Sequence, residues 1–251
     1  MWNGTLRRQI KGQTRLELAK SKPDKRLMTI RNGVIAFVVL IVLVVGGYGL
    51  FRSTAIDVSG EFVEGTHYRV IDGTVVPTVG PINVTEFFSY GCVHCRNFDP
   101  IVNDWLHNVP KGTSFDRNPV SFSPEWSLLA QSYFALQSVN ALDDNHDRIF
   151  KAIHDNHKQF LTADMVADFV DGHGVTRAAF LTAFNSPGVA HAMADAAKRE
   201  RALRVNSVPY LTVADHYAVN MDTVPRKKAF DVVNFLVAKT LAERPAKAGA
   251  P

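Results

Sequence analysis

The 251-residue sequence predicts an α/β domain carrying a helical insertion, preceded by a single N-terminal transmembrane helix. Three observations predict this. An uncharged apolar run, Val34 to Phe51, follows a basic leader. Behind it, short strand-like and helix-like segments alternate. Between about 124 and 188, helical spacing takes over.

Residues 1–33 hold nine Lys and Arg against Glu17 and Asp24, a net of +7, which leaves 19 basic and 22 acidic residues in the rest, a net of −3. The basic character therefore belongs to the leader, and nothing suggests the basic face that a nucleic-acid partner requires. The 18 residues 34–51 would rise about 27 Å as a helix, close to a bilayer's hydrocarbon core. Tyr48 sits where an interfacial aromatic belongs, and the basic excess before the span places the N-terminus in the cytoplasm. A cleaved signal peptide is the competing reading, with Ser53-Thr54-Ala55 as its cleavage site. A buried soluble helix would show a polar stripe, and this run has none. An anchor and a signal peptide both export the remainder. The expected organisation is a basic cytoplasmic segment 1–33, an anchor 34–51, a linker 52–66, a catalytic domain 67–243 and a disordered tail 244–251.

Within the domain, Tyr68 to Ile71 is a small strand candidate closed by the Asp72-Gly73 turn signal. Pro77, Gly80 and Pro81 punctuate the way to a stronger strand, Ile82 to Phe88. A helix follows from Cys92 to about Asn108, bent near Pro100, and Val120 to Phe122 is a short strand candidate. Leu128, Leu129, Ser132, Tyr133 and Leu136 share one helical stripe, as do Ile149, Ala152 and Ile153. Met165, Phe169 and Val170, then Phe180, Leu181 and Phe184, mark two shorter helices separated by Gly172 and Gly174. Ala190 to Leu203 is another helix. Tyr210 to Val213 and His216 to Val219 form a hairpin, and Phe230 to Leu241 is a closing helix.

The chemistry centres on the chain's two cysteines, Cys92 and Cys95. A Cys-x-x-Cys pair between a strand and a helix start is a redox arrangement, because the helix N-terminus favours a thiolate on the first cysteine. Zinc needs more ligands than this pair supplies, and a purely structural bridge across so small a loop stabilises little. His94, between the cysteines, can support a thiolate at Cys92; the bland alternative is a solvated spacer. Glu86 shares its strand face with Ile82, Val84 and Phe88, so burial should raise its pKa and let it take a proton from Cys95 when that thiol attacks a mixed disulfide. An edge strand with Glu86 in water is the alternative. Val208-Pro209 opens a strand, where a proline need not donate.

The run Glu86-Phe87-Phe88-Ser89-Tyr90-Gly91-Cys92-Val93-His94-Cys95 resembles the DsbA family of exported disulfide oxidases. So do Val208-Pro209 and the stretch Asp215 to Asp231, which contains Val219-Asn220-Met221-Asp222, with the resemblance spanning roughly 62–243. It implies a thioredoxin-like fold with an inserted helical domain. Cys92 would be the exposed nucleophile, Cys95 its buried partner, His94 the thiolate-stabilising histidine, Glu86 the buried acid and Pro209 a cis proline facing the pair. Val208 and Val93 would line the substrate site, the backbone beside Val208 pairing with an extended client. Asp99 and Arg117 fall near charged positions that the family places around the buried acid. A low thiolate pKa and an oxidising disulfide are attributes of DsbA itself: what stabilises the thiolate stabilises the reduced form. One departure is Val93, where the common family motif has proline; residues inside the pair tune its potential.

The resemblance implies no cofactor beyond the redox-active Cys92–Cys95 disulfide. Implied partners are exported reduced proteins and a quinone-linked membrane oxidase of DsbB type, for a monomeric enzyme of the bacterial inner membrane with a periplasmic catalytic domain. A reductase (for example in cytochrome maturation) or an isomerase is the second reading, although residues 52–66 leave no room for an isomerase's dimerisation domain. A tethered metal-binding domain is the third. His154 and His157 offer the only other ligand-like spacing, and they read as a solvated helix face.

Overall fold

The computed structural model describes residues 34, 35, 37–41 and 62–244. Residues 34, 35 and 37–41 are helical with exposed apolar side chains, and belong to a unit of their own that ends at Ile56. The rest of the expected anchor (36 and 42–51), the segment 1–33, the linker up to 61 and the tail from 245 lie outside the described residues. Among the described residues, no helix is long and apolar enough to cross a membrane.

In the second unit, five strands form one sheet: β1 (Tyr68–Val70), β2 (Ile82–Phe88), β3 (Thr113–Pro119), β4 (Tyr210–Val213) and β5 (Tyr217–Val219), in the order β1-β5-β4-β2-β3. The β2–β3 pair is parallel and the other pairings are antiparallel. β2 lies between β4 and β3, so it is buried along nearly its whole length, its polar Thr85 and Glu86 included. The parallel step requires a crossover, supplied by α1 (Val93–Leu106). On one face of the sheet, α1 meets α7 (Ala229–Glu243), with Trp105 and Phe98 stacking on Phe230 at 4.6 and 5.7 Å between ring centroids.

The helical block comprises α2 (Pro124–Ser138), α3 (Leu142–His154), α4 (Ala163–Val170) and α5 (Arg177–Phe184), after which α6 (Pro187–Ala202) returns the chain to the sheet. Local chemistry explains most of these starts. Ser123, Thr162, Thr176 and Ser186 each accept a hydrogen bond from the backbone three residues on. Pro124 and Pro187 occupy first-turn positions, where their missing N–H costs nothing. Arg199 of α6 pairs with Asp116 of β3 at 2.6 Å and with Asp215 at 2.7 Å, and donates to Thr85 of β2. Asp215 belongs to the β4–β5 turn, where Ala214 and Asp215 take φ of 58° and 51°.

The structure corrects several expectations. The strand after α1 is 113–119, not Val120–Phe122; its sequence TSFDRNP is polar because β3 is an edge strand, so no apolar run marks it. α4 buries Val166, Ala167 and Val170 and leaves Met165 exposed, a small rotation of the expected face. α6 begins three residues before Ala190, at the Ser186 cap and Pro187. His216 lies in the turn rather than in β5.

Candidate active site

The end of β2 delivers the chain into a tight approach to α1. Ser89 O accepts from Cys92 N at 3.0 Å, and Ser89 Oγ from Gly91 N at 3.1 Å. Cys92 is the N-cap of α1, with extended backbone, and the first-turn amides of His94 and Cys95 act on its sulfur. Cys95 lies in that first turn and is fully buried, while Cys92 keeps 8% of its surface accessible. Cys92 is thus less open than the resemblance implied, because it sits in the core cluster of the helical block beside Tyr90 and Val208. Neither cysteine is bonded to the other in this structure.

Their proton affinities diverge. The Cys92 thiol is lowered to about 6, chiefly by a hydrogen bond from the Cys95 thiol; burial opposes this, and the amides of Cys95 and His94 and the His94 charge add to it. The Cys95 thiol is pushed far up by burial and by its bond to Cys92. The first sulfur is thus favoured as thiolate and the second as thiol. His94 and Val93 are exposed on the first turn.

Opposite the pair, the Val208–Pro209 peptide is cis, and Pro209 is buried. The Val208 carbonyl lies 3.5 Å from Cys92 Sγ. Trp126, stacked on the exposed Phe122, closes over Gly91. A Cβ at Gly91 would stand 2.4 Å from the Trp126 indole nitrogen. Gly91→Ala is therefore expected to displace Trp126 and destabilise the fold by about 1–3 kcal/mol. Urea unfolding and a change in tryptophan emission are the measurements, and an unaltered spectrum with unaltered stability would refute this packing.

Beneath the cysteines lies a buried polar network. Glu86, 2% exposed, stands directly across the β2–β3 pair from Arg117 and accepts from its Nε at 2.9 Å. Arg117 also donates to Asp99 Oδ1 at 2.8 Å, and Asp99 lies one turn beyond Cys95 on α1. Burial pushes Glu86 up to about 7, the Arg117 charge and hydrogen bond offsetting part of the shift. Burial also acts to raise Asp99, yet the hydrogen bond from His146, with the Arg117 charge and the bond from Asn103, holds it below its usual range.

Sequence reasoning placed Glu86, Cys92, His94, Cys95 and the Val208–Pro209 peptide at one site, and the structure brings these segments together. It missed His146, whose Nε2 lies 3.1 Å from Asp99 Oδ1. The available signal was helical spacing, because His146 falls three residues before Ile149 on the buried stripe of α3. The His154/His157 reading is corrected. α3 ends at His154, which is partly buried with its Nε2 at 2.8 Å from the Tyr90 carbonyl, so the two do not share a helix face. Among the described residues no group of three or more His, Cys, Asp or Glu could hold a metal ion.

No family model matches the chain. The thiol:disulfide interchange protein DsbA of Pseudomonas aeruginosa is 31% identical over 184 residues, covering 72% of this chain and 87% of the relative. That of Azotobacter vinelandii is 35% identical over 150 residues, covering 59% and 70%. The crystal structure of Pseudomonas aeruginosa DsbA superposes with a TM-score of 0.69 at 30% identity, covering 73% of this chain and 97% of that one. The oxidoreductase DsbA from Xylella fastidiosa gives 0.67 at 28% identity, with 73% and 100% covered. The sheet order, the inserted helices and the Cys-x-x-Cys pair at a helix start are thus shared with proteins of known chemistry, and this chain belongs to the DsbA family of thiol–disulfide oxidoreductases, which use a redox-active cysteine pair and no external cofactor.

Proposed function

We propose that this chain is a membrane-tethered disulfide donor that oxidises exported proteins through Cys92 and Cys95. The observation that carries the reading is the asymmetry of the two thiols, one favoured as thiolate and one as thiol. A client thiolate attacks Cys92 of the disulfide, the Cys92–Cys95 bond breaks, and Cys95 leaves with the electron pair. Buried as it is, that sulfur needs a proton, and Glu86, pushed up to about 7, is the acid poised to give one. A second client thiolate then attacks the client sulfur of the mixed disulfide and expels Cys92, which the helix N-terminus and His94 stabilise as thiolate. The Val208 backbone pairs with the extended client, Pro209 faces the cysteines, and the exposed Val93 completes the docking surface.

The tether is supported by the uncharged run 34–51 and by the exposed apolar side chains of its described helical part. With the basic excess before it, this gives a single-pass protein of the bacterial inner membrane with a periplasmic catalytic domain, reoxidised by a quinone-linked DsbB-type partner. The test is the reduction potential of the full-length protein in detergent, equilibrated against glutathione. A value more oxidising than glutathione is expected. A value as reducing as that of thioredoxin overturns the donor reading in favour of a reductase.

A further inference from the structure

The inserted helices share a core cluster with the cysteines, and one of their side chains enters the charge network beneath them. His146 is 9% exposed and belongs to α3, whereas every other member of the network comes from the sheet, from α1 or from the loop between them. Its Nε2 faces a carboxylate oxygen of Asp99 at 3.1 Å, and its Nδ1 faces the Tyr90 hydroxyl at 2.8 Å. Burial disfavours the charged ring, and a carboxylate can only accept, so in the neutral imidazole Nε2 carries the proton and Nδ1 accepts from Tyr90. The ring is held in this pose by Phe88, Tyr133 and Phe150, at 5.2–6.4 Å between ring centroids.

The Asp99 oxygen that receives His146 is the one that receives Arg117 Nη2, while Arg117 Nε serves Glu86. Arg117 is therefore shared between two carboxylates, and His146 supplies one of them with a second donor. We propose that His146 is a positioning residue through which the inserted domain sets Arg117's hold on Glu86, and so how readily Glu86 exchanges its proton with Cys95. The proposal rests on the reading of Glu86 as the proton donor. Without the His146 donor, Asp99 draws the guanidinium more strongly, and Glu86 is left less compensated. The charged and titratable groups facing Glu86 are Arg117 from β3, Asp99, Cys92 and Cys95 from α1 and its cap, and Tyr133 from α2. Those facing His146 are Asp99, Arg117, Tyr90 and its neighbour Asp147.

The experiment follows the Glu86 side-chain carboxyl by carbon NMR in the oxidised full-length protein, its resonance assigned by its loss in Glu86→Gln. His146→Phe keeps an aromatic in the cluster but removes donor and acceptor; His146→Gln keeps one of each. In His146→Phe the Glu86 midpoint is expected to rise by at least about half a pH unit, roughly a threefold change in its acid dissociation constant. His146→Gln should return most of that. A parallel readout is the rate at which a client peptide thiol reduces the disulfide, corrected for the peptide's ionised fraction; the limb that falls with rising pH should move with the NMR midpoint. If Glu86 keeps one midpoint in all three proteins, or if Phe and Gln shift it equally, His146 does not act as proposed. A pH limb that survives Glu86→Gln overturns instead the assignment of Glu86 as proton donor, whatever His146 does.

Discussion

Cys92→Ser eliminates thiol–disulfide exchange, a loss on the order of a thousandfold or more, while Cys95→Ser accumulates mixed disulfides with client proteins. The two outcomes differ because the two sulfurs differ in place and charge. Cys92 retains the accessible surface and the lowered proton affinity of a nucleophile, and its replacement removes the only sulfur a client can reach. Cys95 is fully buried and far raised, so it acts within the protein by closing on Cys92 and releasing whatever is bound there. In a Cys95→Ser protein the Cys92 thiolate attacks a client disulfide and expels one client sulfur, and the thiol that would close on Cys92 and release the bound client is missing. Non-reducing gels of cells expressing each variant give the measurement. Client adducts on Cys92→Ser, or their absence on Cys95→Ser, would reverse the assignment of roles.

Glu86→Gln should make the oxidised protein more stable above neutrality and remove a pH dependence that the unaltered protein shows. Glu86 is pushed from 4.5 to about 7 in the folded state. Between those values the folded state binds a proton that the unfolded chain has released, so stability declines as pH rises. The stabilisation is complete below the unfolded value and is lost on passing through the folded one; at 1.36 kcal/mol per unit its upper bound is about 3 kcal/mol. Asp99 opposes this only at the acid end, since its lowered value stabilises above its ordinary range and is lost below it. The glutamine keeps an acceptor for Arg117 and carries no charge to bury. Urea unfolding at pH 5 and pH 8 tests this in the oxidised form, where Cys92 does not titrate. Parallel profiles for both proteins would mean that Glu86 is not the strained acid of this core.

Much of this architecture was legible in the amino acids, for identifiable reasons. β2 coincides with its expected bounds, because Ile82, Val84 and Phe88 recur at the period of a strand behind the Gly80-Pro81 turn signal. The Cys-x-x-Cys pair at a helix start and the β4–β5 hairpin were visible through short-range spacing. β3 was not, because a polar edge strand lacks the alternation that marks a half-buried one. The network was legible only in halves. Glu86 stood out as an acid on an apolar face, while Asp99 and Arg117 came into view through family resemblance. His146 stayed hidden because it lies 60 residues from Glu86 in sequence and meets the network only through the fold.

Arg199 carries a different kind of consequence. The helical block leaves the sheet after β3 and returns through α6, and one guanidinium there is pinned to β3, β2 and the β4–β5 turn. The two ends of the excursion are thereby fixed to the same scaffold, independently of what lies between them. Lengthening a closed excursion costs little, about 0.6 kcal/mol per doubling of a flexible loop. The block can therefore change length at small entropic cost, subject to the side chains, His146 among them, that reach back into the core.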